Sequence, residues 1–80
     1  MIRPGIGRIV WFHDEVGAPT FAAIVCKVFD ERTISVAVFD DEGSPFSWTH
    51  IPLLQDDDIP PASGPYCEWM PYQKGKAGEK

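Results

Sequence analysis

Apolar side chains in this chain come in short runs rich in β-branched and aromatic residues. Gly, Pro and acidic clusters separate the runs. Five runs stand out: Arg8–His13 (RIVWFH), Phe21–Phe29 (FAAIVCKVF), Ile34–Phe39 (ISVAVF), Phe46–Ile51 (FSWTHI) and Tyr66–Met70 (YCEWM). Such residues suit a pleated, half-buried surface, so each run is predicted as a strand. No window places apolar residues at i, i+3, i+4 and i+7 over three turns, and no helix is predicted. The tightest connection is Asp30-Glu31-Arg32-Thr33, a hairpin signal between the second and third runs. In the fourth run, strict alternation puts Phe46, Trp48 and His50 on one face and Ser47, Thr49 and Ile51 on the other.

Five short strands with turn signals between them imply an antiparallel meander curled into a small barrel. The predicted fold is therefore all-β, a five-stranded antiparallel barrel of SH3-like type, with an OB-like barrel as the alternative. Closure would also remove the unpaired edges that strands this apolar should not leave open. The barrel domain is expected over residues 1–72, with a frayed polar tail over 73–80. Pro52–Pro65 reads as a long loop whose Leu53-Leu54 pair plugs the core through a single 3₁₀ turn.

Composition narrows the function. Eighty residues make one small domain, which buries roughly 60% of the surface its unfolded chain exposes. With 44% apolar and 24% charged residues, the chain is too apolar for a disordered one. The net charge of −5 excludes a protein that coats nucleic acid, and it argues against a basic membrane-surface helix. No run approaches the ~20 residues of a membrane span and no secretory pattern opens the chain, so a cytosolic address is expected. The charge is also segregated: residues 1–33 are neutral, 34–72 carry seven acids and no Lys or Arg, and 73–80 are basic. An anion site must then draw on Arg3, Arg8, Lys27, Arg32 or the tail.

Catalytic and metal chemistry find little support. Cys26 and Cys67 lack CxxC spacing and read as buried thiols; whether they meet is open. Cys26, Cys67, His13 and His50 have the right ligand types for zinc but no local pairing, so no metal is expected. Asp40-Asp41-Glu42 and Asp56-Asp57-Asp58 do not follow a calcium-loop pattern and read as solvated loops. There is no nucleophile elbow, phosphate-binding Gly loop or HExxH. Neither an enzyme nor a cofactor is expected.

The ten aromatics carry more information, because a barrel of this size cannot readily bury them all. Trp11 and Phe12 point to opposite faces, so one of them leaves the interior. Trp48 with Phe46, and Trp69 with Tyr72, are further candidates for exposure. Flat rings flanked by cations suit a nucleotide-type ligand, with π-faces for a base and Arg for phosphate. The candidate ligand-binding set is Arg8, Trp11, His13, Trp48, Trp69 and Tyr72. A homo-oligomer interface is the equal alternative use of the same rings.

The blocks Gly7-Arg8-Ile9-Val10, Ala22-Ala23-Ile24-Val25 and Val36-Ala37-Val38-Phe39 resemble those of short proteins from tailed bacteriophages. The ending Tyr66-Cys67-Glu68-Trp69-Met70-Pro71-Tyr72-Gln73-Lys74 is similar to the endings of that group, often a Gly-Thr-Trp-His-Trp-Pro-type motif. Here Cys67-Glu68 replaces the Thr and His neighbours of the first Trp, so no role of those residues transfers. The resemblance implies phage origin and a compact β-fold, and it supplies no catalytic residues. The expectation is a non-enzymatic phage or prophage accessory protein of the host bacterial cytoplasm. It would act in host takeover or anti-defence, sequestering a small nucleotide-type signal or a host protein. The alternative is a virion structural or decoration protein that works through protein–protein contacts.

Overall fold

The computed structural model describes residues 1–56, 58–71 and 73. They form five strands: β1 (Ile9–His13), β2 (Thr20–Asp30), β3 (Thr33–Phe39), β4 (Pro45–Leu54) and β5 (Tyr66–Glu68). The strands close in chain order into one barrel, as the alternating runs imply. Four junctions are antiparallel, including β1 with β5, whereas β4 and β5 run parallel. The wholly antiparallel meander expected from sequence is corrected at this one seam, for a geometric reason. Up and down cannot alternate around a ring of five, so a closed five-stranded barrel must contain a parallel pair. The connection from Gln55 to Pro65 carries the chain back along the barrel so that β5 runs the same way as β4.

Alternation sends Val10 and Phe12 of β1, Ala23 and Val25 of β2, and Ile34, Val36 and Val38 of β3 into the barrel. Ile51 and Leu53 of β4, Cys67 of β5 and Trp69 complete the core. Leu53 is buried as expected, but as part of an extended β4 and not through a 3₁₀ turn. The rings of Phe12, Phe21 and Phe46 meet edge-on at one mouth of the barrel, with centroids 5.7 and 6.4 Å apart.

Strict alternation fails in β4. Ile34 faces Ile51 and Val36 faces Trp48, so Thr49 and His50 together oppose only Ser35. This bulge holds His50 at φ 54°, in the left-handed region. Its effect is to bring Ile51, and not His50, to the inner face. Burial of an aliphatic side chain in place of an imidazole is the driving force. Two further offsets lie in β2, one at Cys26 and one at Phe29 beside the β2–β3 turn. Glu31 and Arg32 there keep negative φ, which does not match strand twist as a primed turn would.

The lead-in is tied down. Gly7 N–H donates to Val25 O and Val25 N–H to Arg8 O, which extends the β1–β2 ladder. Ile2 exchanges hydrogen bonds with the buried Gln55 side chain: Ile2 N–H donates to Oε1 (3.1 Å) and Nε2 donates to Ile2 O (2.7 Å). At the other end, Gln73 is buried instead of fraying with the tail. Its amide nitrogen donates to Ile9 O and its oxygen accepts from Met70 N–H. Residues 74–80 lie outside the described residues.

Candidate functional site

The side chains that alternation turns outward on β1, β2 and β3 form two cross-strand rows. One row is Ile9, Ile24 and Ala37; the next is Trp11, Ala22 and Phe39. None of the six carries a polar group on an aliphatic side chain or a charge. Ile9 and Ala22 are exposed, and Trp11, Ile24, Ala37 and Phe39 are half-buried. The two alanines leave the larger side chains standing above the sheet on either side. An outer face of this kind is what an apolar-on-both-faces β2 produces once one face has gone into the core.

Beside it lies a polar group. His13 also points outward, yet it is buried because Tyr66 stacks on its ring at 4.7 Å. His13 Nε2 donates to Glu68 Oε2 at 2.6 Å. Glu68 is the cross-strand neighbour of Trp11, so a carboxylate stands next to the indole. The Tyr66 hydroxyl is held above its ordinary pKa, by burial first and by Glu68 second. A His–carboxylate pair is half of a nucleophile-activating arrangement. The adjacent thiol does not complete it, because Cys67 faces the core and burial pushes its pKa up to about 12.

The six residues singled out from sequence separate. Arg8 and Trp69 do meet, with the guanidinium carbon 5.2 Å from the ring centroid. However, Trp69 is 1% exposed and its Nε1–H donates to Gln55 Oε1, so it is a core residue and not a stacking platform. His13 is likewise committed to Glu68 and Tyr66. Trp11 lies on the outer face. Trp48 sits on β4 across from Val36, 40% exposed. Tyr72 lies outside the described residues. The expected single aromatic and Arg cluster is therefore corrected to two separate surfaces, around Trp11 and around Trp48.

Several other charged groups have structural partners. Arg32 binds Asp58 through Nε (2.8 Å), and Asp58 also accepts Gln55 N–H (2.8 Å). Asp40 Oδ1 accepts the N–H groups of Glu42 and Ser44, closing its own turn. Asp56 pairs with the N-terminal amine. Lys27 lies over the Phe29 ring at 5.0 Å. Cys26 is exposed and Cys67 buried, both as free thiols, so the two do not meet and Cys26 is not the buried thiol expected.

Sequence reasoning passed over Gln55, which it placed in a polar loop. It also passed over the row partners Ile9, Ile24 and Phe39, although a second run apolar on both faces was the available signal. Comparison of the chain with models of known families, with curated proteins and with solved structures gave no match.

Proposed function

We propose that this chain is a non-enzymatic binding module whose ligand is another protein, docked on the outer face of β1, β2 and β3. The observation that carries this reading is the charge-free double row Ile9, Ile24, Ala37 and Trp11, Ala22, Phe39. Proteins rarely leave such rows to water without a use for them. The geometry favours a protein over a nucleotide. A phosphate near Trp11 would meet the Glu68 carboxylate, and the Arg8 guanidinium lies on a buried ring instead of beside an open one. With the phage-type resemblance, the role we infer is that of an accessory protein acting on a protein of the bacterial host.

The test uses the immobilised full chain against host extract, with Trp11→Ser as the variant. One retained host protein, lost with Trp11→Ser while the melting temperature stays near that of wild type, is the expected result. A melting-temperature rise with nucleotides or cyclic nucleotides, abolished by Trp11→Ala and Arg8→Ala, would restore the sequestration reading. Recovery of the chain in purified virions would favour the structural role.

A further inference from the structure

Among the described residues, the first half of β4 is paired on one side only. Pro45–Trp48 face Phe39–Val36 of β3, while β5 meets β4 only at Leu53 and Leu54. Among the described residues no backbone hydrogen bond covers the other edge from Phe46 to Thr49. Unpaired edges template strand addition, and proteins commonly blunt them with charges, prolines or bulges. Here Pro45 stands at one end and the His50 bulge at the other. The four residues between carry no charge, and Phe46 and Trp48 are 39% and 40% exposed.

We propose that this edge pairs antiparallel with the same edge of a second copy of the chain, about a two-fold axis at Ser47. Three features fit a second copy in this register. Directly opposed side chains in an antiparallel pair share a face, so inner-face residues must meet inner-face residues. An axis at Ser47 does this, setting Phe46 of each chain opposite Trp48 of the other. The segment also matches itself in length, because each bulge end meets a proline end and neither strand overhangs.

Charge is the third feature. The acidic turn Asp40-Asp41-Glu42 lies at one end of this segment. At the other end Lys27 lies over Phe29, whose ring stacks on His50 at 4.0 Å. Antiparallel pairing sets the acidic turn of each chain beside the Lys27 end of its partner. Parallel pairing would bring two acidic turns together, which a chain of net charge −5 does not favour. The surface is distinct from the outer face around Trp11, so either proposal can fail without the other.

Sedimentation equilibrium of the full chain over a wide concentration range tests the pairing. The expected mass rises to twice the 8.9 kDa of one chain, stays at one chain in Trp48→Lys, and still doubles in Trp11→Lys. Because Trp48→Lys could disturb folding, Ser47→Cys in a Cys26→Ser background gives a second readout. Oxidation should link two chains through the introduced thiol, and Ala22→Cys in the same background should not link. A single-chain mass at every concentration overturns the proposal. So does doubling that survives Trp48→Lys, or cross-linking at Ala22→Cys but not at Ser47→Cys.

Discussion

At the scale of single residues, Gln55 holds more of the structure together than its place in a polar loop suggests. It is 1% exposed, and all of its side-chain polar capacity is used. Its oxygen accepts from Ile2 N–H and the Trp69 indole; its nitrogen donates to Ile2 O and Glu31 O. Gln55→Leu would keep most of the volume and remove the partner of all four groups, the buried Trp69 indole N–H and the part-buried Ile2 and Glu31 backbone groups. An unsatisfied buried group costs about 1–3 kcal/mol, so a loss of roughly 3 kcal/mol or more is expected from urea unfolding. Cys67 offers a second residue-scale test. Its thiol is protonated when folded, up to about 12, because burial disfavours the thiolate. A disulfide reagent should therefore label Cys26 at once in native protein and Cys67 only on unfolding. Rapid labelling of both would place Cys67 at the surface. The raised pKa also fixes a sign: this contribution to stability is present below the unfolded thiol's pKa and is lost as pH rises toward about 12. Cys67→Ala should flatten that alkaline decline, measured as urea midpoints at neutral and alkaline pH.

At the scale of elements, the five strands were legible because each run is dense in the residue types a pleat accepts. The β2–β3 hairpin was legible from its short connection. The bulges were not, and the cause is specific. A strand's own alternation says nothing about the count of its neighbour. β3 sends Ile34, Val36 and Val38 inward at a spacing of two, but β4 offers Trp48 and then Ile51, three apart. Only when both strands share a ladder does one extra residue have to be absorbed. His50 takes it, at φ 54°. The candidate site was half legible for the same reason. Trp11 was found from β1 alone, whereas the rows around it depend on register with β2 and β3. Trp69 was misplaced because its burial comes from core side chains of other strands, with Gln55, fourteen positions earlier, taking its indole N–H. The bulge itself can be tested. Left-handed backbone costs roughly 1–2 kcal/mol for most residues, least for Asn and most for β-branched side chains. His50→Asn should unfold close to wild type in urea, while His50→Val should lose about 1–2 kcal/mol. Equal losses in the two variants would mean that the Phe29 stack, and not the backbone, decides the position.

At the scale of the molecule, the segregated charge becomes a closing device. The acidic middle of the chain is not simply turned to solvent. Its loop returns Asp58 to Arg32 on the β2–β3 hairpin and Asp56 to the N-terminal amine, so acids from the middle pair with positive groups from the first third. The same loop donates Gln55 N–H to Asp58, which joins this clasp to the buried Gln55 network. Both partners are held in their charged forms. The hydrogen bond from Arg32, and then that from Gln55, lowers the Asp58 pKa, and the Asp58 carboxylate in turn raises that of Arg32. A carboxyl whose folded pKa is depressed contributes stability that is present above its unfolded pKa. That contribution is lost as pH falls through the lowered folded value. Wild type should therefore weaken through the acid range more steeply than Asp58→Asn, which has no charge to protonate. Because the pair is open to solvent, salt should narrow the difference between them. Urea midpoints of the two proteins from neutral to acid pH, at low and high salt, measure it. Parallel acid limbs would mean that the Arg32–Asp58 ion pair adds nothing to the clasp.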